Sequence, residues 1–348
     1  MQRAGYLSAP ALCIIRSAAD SAQIQRFRLR EQLPVARTPW ALGSIPGIRE
    51  VDHWLTRSLA RYEAAWAYLL LSPFLIGLLV FILGPLVFAI VLSMMRWDIM
   101  GLPQWLGTAN YAEMARDEVF RKAFWNTVYY TGVTVPATIA FSLLLATLMN
   151  RKMHGVRFFR VIYFAPITIS VIAVGLLWSW LYSRDFGFIN YVLYLLGLPK
   201  VPWLVNPKIA MLSIIIVGVW RGLGFNIVVF IAGLQSVPRE LYDASAIDGA
   251  NEFQQYRHIT LPMLSPTLFF ALVTAFISSF QIFEQTYIMT QGGPSYSTMT
   301  LVYYIYLEGF TYLRMGYASA VSILLLLVVL LMTVFQVQFQ ERWVYYEE

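Results

Sequence analysis

Along most of the chain, apolar residues run together in stretches too long for an ordinary water-soluble helix, with short polar segments between them. Six runs are long enough, at ~1.5 Å per helical residue, to cross ~30 Å of hydrocarbon. They lie near Ala64 to Met95, Ala123 to Met149, Phe158 to Tyr182, Ile209 to Leu234, Met263 to Thr290 and Tyr317 to Gln338. The pattern predicts an all-α integral membrane protein with about six transmembrane helices. Pro73 and Pro85 interrupt the first run and predict a kink or an interfacial turn there.

The polar island Glu240 to Pro262, ELYDASAIDGANEFQQYRHITLP, carries the most local information. Ser236 and Pro238 supply helix-start signals and Asp248-Gly249 a stop, glycine being free to turn left-handed. Asn251 and Gln254, three residues apart, read as a capping-box pair opening a second helix, and Leu261-Pro262 predicts its end. The spacing predicts a rigid helix-turn-helix. Any loop between membrane spans also needs polar residues and a glycine, so spacing alone leaves the island's role open.

Charge sets the orientation. Arg151, Lys152, Arg157 and Arg160 fill the second-to-third loop without an acid, whereas the fifth-to-sixth loop has Arg314 as its only base. Positive residues stay inside, which predicts N and C termini, the second-to-third loop and the island in the cytoplasm. The stretch 1–61, with Arg3, Arg16, Arg26, Arg28, Arg30, Arg37, Arg49, Arg57 and Arg61, is expected to be a poorly ordered cytoplasmic extension. Residues 341–348 are expected to be a cytoplasmic tail.

Composition agrees: 59% hydrophobic and 13% charged, with a mean hydropathy of +0.61, against about a quarter charged in soluble domains. The net charge of +6 is explained by the membrane surface rather than by nucleic acid. The single Cys13 excludes a disulfide framework or cysteine metal site within the chain. His53, His154 and His258 are too scattered for a metal site. The chain lacks a GxxxxGK[ST] phosphate loop, so energy for any active transport has to come from another subunit.

The string Asp243-Ala244, Asp248-Gly249-Ala250, then Ile259, Leu261 and Pro262 resembles the EAA loop of ABC-importer permease subunits. It departs from that pattern at Asp243 for Glu, Ser245 for Ala and Tyr256 for Phe. The resemblance extends to GTANY at Gly107 to Tyr111, Asn126-Thr127, GVRFFR at Gly155 to Arg160, and FGFIN at Phe186 to Asn190. WRGLGFN at Trp220 to Asn226, AGLQSVP at Ala232 to Pro238, QGGP at Gln291 to Pro294 and GYASA at Gly316 to Ala320 complete it. In order and spacing these are similar to the sugar-permease group, over roughly Tyr62 to Gln338.

The resemblance implies the type I ABC importer permease fold over 62–340, with an EAA coupling loop at 238–262. It implies a plasma-membrane location, a second homologous permease subunit, two ABC ATPase subunits and an extracytoplasmic substrate-binding protein. ATP and Mg would be used by the partner ATPase, with no cofactor on this chain. Glu240, Asp243, Ala244, Asp248, Gly249, Ala250, Leu261 and Pro262 are the coupling candidates.

Charges inside spans are costly, about 2.5 to 3.5 kcal/mol on insertion scales, so each needs an environment. Arg221 lies mid-span, and Gly222 and Gly224 beside it are expected to open the helix toward a cavity. Trp220, Arg221, Phe225 and Asn226 are therefore candidates for a substrate path; the alternative is a structural ion pair or a snorkelled arginine. In the fifth run Ser278, Gln281 and Gln285 recur along one helical face with Glu284 near it, a set that suits hydroxyl-rich cargo. Their alternative is hydrogen bonding within the bundle.

The leading expectation is a permease subunit carrying a sugar or oligosaccharide, with glycerol phosphate or a polyol as the other cargo. A stand-alone secondary transporter would need a mid-membrane coupling carboxylate, for which Glu284 is the sole candidate. A membrane enzyme would need a second catalytic group beside it.

Overall fold

The computed structural model describes residues 63–64, 66–150 and 155–345. The expected extension 1–61 and the last three residues of the tail lie outside the described residues. In chain order the elements are α1 (Trp66–Ser93), β1 (Met95–Arg96), β2 (Gln104–Trp105), α2 (Ala109–Arg116), α3 (Glu118–Asn150), α4 (Val156–Thr168) and α5 (Val171–Leu181). There follow α6 (Phe188–Leu195), α7 (Ala210–Ser236), α8 (Arg239–Ile247), α9 (Glu252–Met263), α10 (Ser265–Phe280), α11 (Glu284–Met289), α12 (Leu301–Tyr306) and α13 (Met315–Gln340). The packed body begins at Phe81, inside α1.

Four helices, α1, α3, α7 and α13, are each long and apolar enough to cross a bilayer. The third expected span is a bent pair, α4 with α5 at 105°, and the fifth, Met263 to Thr290, is α10 followed by the short α11; α10 is also bent by 63° from α9 before it. The first bend means that Phe158 to Tyr182 is not one continuous helix. Pro166 sits inside α4 and takes a donor out of the ladder, and Ile169 and Ser170 beyond it are extended (ψ 139° and 135°). In α1 the irregularity expected at Pro85 takes the form of a wider turn, Leu79–Leu83, just ahead of it.

The centre of the body is the pair α3 and α7. Toward one end, Ala146, Met149, Ile231, Leu234 and Leu264 share a core; toward the other, Tyr130, Met211, Ile214 and Ile282 do. The loop after Asn150 and the island after Ser236 therefore leave the bundle at the same end. In lipid, helices gain little from hiding apolar surface, and small residues let backbones approach. At Gly218 an added Cβ would run into the Tyr130 hydroxyl, and at Gly222 it would stand 3.0 Å from Thr138 Cγ2. Gly224 looks the other way, where a Cβ would meet the Tyr163 carbonyl on α4. Gly222 and Gly224 thus do not open α7, contrary to expectation. The helix is unbroken from Ala210 to Ser236, and its glycines are contact points.

The remaining elements are fastened by buried amides and hydroxyls. Asn110 donates to the Ser93 and Met95 carbonyls at 2.8 and 2.9 Å, tying α2 to the end of α1. Asn126 donates to the Tyr296 and Met299 carbonyls, and the Leu301 amide donates to Thr127 Oγ1. Asn190 holds the loop before α7: it donates to the Val201 carbonyl and accepts from the Val201 amide and Trp203 Nε1.

A charged knot joins α2, the start of α3 and α13. Asp117 caps α3 through the Val119 and Phe120 amides, and its other oxygen accepts from the Tyr304 and Tyr317 hydroxyls. Burial pushes this carboxyl up, but those hydrogen bonds outweigh it and hold Asp117 below the usual carboxylate range. Arg314 bridges Glu113 and Glu308 and lies 4.4 Å over the Tyr317 ring.

Candidate functional site

The island forms the two expected helices. α8 follows Pro238 and ends in a Schellman turn: the Ala250 amide donates to the Ser245 carbonyl at 2.9 Å and the Gly249 amide to the Ala246 carbonyl at 3.1 Å. Gly249 has φ +81°, the left-handed value the sequence called for. Asn251 and Gln254 make a reciprocal capping box at 2.9 and 2.8 Å and open α9.

Two expectations fail here. Ser236 does not start α8; it closes α7, its hydroxyl donating to the Gly233 carbonyl. Leu261-Pro262 does not end α9, for Leu261 stays helical at φ −64° and ψ −45°. The helix widens over Tyr256–Thr260, so that the Leu261 amide reaches back to the Tyr256 carbonyl, and this slack takes in the proline ring. The break comes instead at Leu264, which is fully buried.

Side chains that the sequence reading did not single out lock the two helices together. Tyr242 and Thr260 hydroxyls meet at 2.9 Å, and Gln255 donates to Ser245 Oγ at 3.0 Å and to the Tyr242 carbonyl at 3.3 Å. Glu240, Asp243, Ala244, Asp248 and Gly249 are exposed, and Ala250, Leu261 and Pro262 are partly buried, the last two just ahead of α10. Between the exposed acids stand Ile247 (87% exposed) and Phe253 (71%), an apolar pair flanking the glycine turn and far too open for core residues. The signal for them was an apolar residue inside an otherwise polar string.

The second site is a cavity of about 340 Å³ between α3, α7 and α10. Of the path candidates, Arg221, Phe225, Asn226, Ser278, Gln281, Glu284 and Gln285 line it, together with Tyr130, Thr134 and Thr138 from α3. Trp220 does not; it packs edge-on against Trp178 at 5.5 Å, beside Tyr182 and Met289. The expected single face for Ser278, Gln281 and Gln285 is corrected as well. α10 stops at Phe280, the chain bends through Gln281 (φ −97°, ψ 17°), and α11 resumes at Glu284. The bend, rather than helical periodicity, aims these polar groups at one space.

The lining is polar and under-satisfied. Thr134, Thr138 and Asn226 are each more than nine-tenths buried, and Thr134 Oγ1, Thr138 Oγ1, Asn226 Oδ1 and Arg221 Nε have no partner. Buried polar atoms are paired as a rule, so a cluster of orphans around one cavity marks a place built for an occupant. Threonine on α3 was missed because Thr134 and Thr138 look like ordinary helix-filling residues. Among the described residues no group of three or more His, Cys, Asp or Glu side chains is placed to hold a metal.

Residues 138–345 match the family of binding-protein-dependent transport system inner membrane components. The chain belongs to this family. It is similar to the probable ABC transporter permease protein YesP of Bacillus subtilis, 34% identical over 297 residues, 84% of this chain and 95% of that protein. It is similar to the arabinooligosaccharides transport system permease protein AraP of the same organism, 35% identical over 83% of this chain and 92% of the relative. The sn-glycerol-3-phosphate transport system permease protein UgpA of Agrobacterium fabrum is 34% identical over 80% and 96%. Among solved structures, a chain of the bacterial alginate ABC transporter, crystallised with an alginate pentasaccharide-bound periplasmic protein, has a TM-score of 0.73 at 25% identity. That likeness covers 82% of this chain and 96% of the other, and it gives the type I importer permease fold. The protein is a multi-pass inner-membrane permease subunit.

Proposed function

We propose that this permease forms, with a second homologous permease, the transmembrane path for a sugar, an oligosaccharide or a related polyol. Arabinooligosaccharides and sn-glycerol-3-phosphate are named for its relatives AraP and UgpA, and both are polyhydroxylated. The observation that carries the reading is the cavity: about 340 Å³ suits a small ligand, and its lining offers both donors and acceptors to hydroxyls.

In this reading the island faces the cytoplasm, at the same end as the basic loop after Asn150. Two separate ABC ATPase subunits hydrolyse ATP with Mg, and the exposed surface of Glu240, Asp243, Ile247, Asp248, Gly249 and Phe253 seats on one of them. Leu261 and Pro262 join that surface to α10, whose far end forms the cavity wall. An extracytoplasmic binding protein delivers the cargo at the opposite end, near Glu118 and Ala210.

The test is ATP-driven uptake by the complete transporter in proteoliposomes. A bulky residue in the cavity wall, Ser278→Trp, should abolish uptake while leaving assembly intact. Uptake at the unmodified rate would refute the path.

A further inference from the structure

Arg221 stands two residues before the midpoint of the 27-residue α7, at the depth where a charge is most costly. Structural arginines in such places are paired. Among the described residues this one makes no ion pair and no side-chain hydrogen bond, and its Nε is buried without a partner. The other charged group of the lining, Glu284, is exposed and is not paired with it. Around Arg221 the neighbours on α3 are hydroxyls, Thr134, Thr138 and Tyr130, which neither neutralise it nor use its five N–H donors. The Tyr130 hydroxyl donates to Gln285 Oε1 at 3.4 Å.

An unpaired guanidinium beside buried hydroxyls is the arrangement that recognises an oxyanion: a fork of charge-assisted donors with hydroxyl donors at its side. Glu284, Gln281 and Ser278, also in the lining, suit neutral hydroxyls, since a carboxylate there accepts from O–H and repels an anion. We propose that the cavity takes a polyhydroxylated cargo bearing one anionic substituent, a carboxylate, phosphate or sulfonate, whose charge is held by Arg221 and whose hydroxyls face Gln281, Glu284 and Ser278. The inference rests on the reading of the cavity as the cargo path and narrows the cargo class.

The purified complete transporter in nanodiscs supplies the test. Tryptophan fluorescence reports occupancy, because Trp220 adjoins Arg221 in sequence and packs edge-on against Trp178. The probes are size-matched pairs: galacturonate against galactose, and glycerol phosphate against glycerol. In the unmodified protein the anionic member of at least one pair should bind about tenfold or more tightly than the neutral one, and the responding pair shows whether carboxylate or phosphate is preferred. Arg221→Gln should erase the preference by weakening the anionic member of the pair more than the neutral one, and Arg221→Lys should keep part of it. Co-purification of the partner subunits with each variant shows that assembly is intact. No anionic preference in either pair, or a preference that survives Arg221→Gln, overturns the proposal. Normal uptake by Ser278→Trp would instead overturn the path reading beneath it.

Discussion

Replacing Gly249 separates backbone strain from surface crowding in the exposed turn. Its φ of +81° lies in the left-handed region, and an added Cβ there would meet nothing within 4 Å. The whole cost of a side chain is therefore conformational, about 1–2 kcal/mol for an ordinary residue, more for a β-branched one and less for asparagine. That corresponds to a roughly 5- to 30-fold fall in the population of the folded knuckle. Uptake coupled to ATP hydrolysis, measured in proteoliposomes beside the ATPase rate, should fall in the order Gly249→Asn, Gly249→Ala, Gly249→Val. The alanine variant should lose ~5- to 30-fold in uptake, and the valine variant more, while hydrolysis continues. Crowding against the ATPase would reverse the first two, since alanine is smaller than asparagine. That reversal, or full uptake by Gly249→Val, would refute the reasoning.

Other contacts yield further expectations. Gly218→Ala should lower the thermal stability of the purified permease by about 1–3 kcal/mol, because its Cβ meets the Tyr130 hydroxyl, and adding Tyr130→Phe should restore much of it. A Gly218→Ala defect indifferent to Tyr130→Phe would refute that contact. Leu264→Ala should cost about 2–5 kcal/mol by emptying a fully buried site, while Leu264→Met should melt almost as the unmodified chain does. Asp117, held below its ordinary value of 3.8, contributes stability that is fully present above that value and lost as pH falls through the lower folded value. Glu308 has the opposite sign, since burial raises its carboxyl and acidification favours the folded form. The stability gap between the unmodified chain and Asp117→Asn should therefore be constant near neutral pH and close in acid; a gap that widens in acid would contradict the assignment.

Much of this architecture was legible because membrane helices announce themselves by length and apolarity, and because capping signals act over three or four residues. Gly249, Asn251 and Gln254 are read correctly from local rules alone. What was not legible depends on long-range packing. The bend at Gln281 and the wide turn at Tyr256–Thr260 carry no signal in the local sequence, and no local rule places Leu264 rather than Pro262 at the break. The same limit explains Trp220: one residue of sequence separates it from Arg221, which on a helix is ~100° of rotation and a different neighbour. The short motifs carrying the resemblance prove mostly to be fasteners. Asn110, Asn126, Asn190 and Gly316 tie loops and helices together, and an added Cβ at Gly316 would collide with the Met95 carbonyl.

Those fasteners also decide what can move. The ends near Glu118 and Ala210 are pinned by buried amides, and the knuckle is internally rigid through Tyr242, Ser245, Gln255 and Thr260. Between them the chain changes direction at Leu264, where Ser265 accepts from the Tyr345 amide and donates to the Pro262 carbonyl. From there α10 runs 16 residues, ~24 Å at 1.5 Å per residue, straight to the cavity wall at Gln281. A rotation of ~10° about Leu264 would carry that wall by about 4 Å over this lever length. Such a shift is comparable to the reach of the hydrogen bonds that would hold cargo, so a small displacement of the knuckle suffices to make or break the site. Softening Leu264 with alanine should therefore damage coupling more than assembly. The comparison of its ATPase rate with its uptake, at a temperature where the variant stays folded, tests this lever: equal losses in both would mean that Leu264 only holds the bundle together.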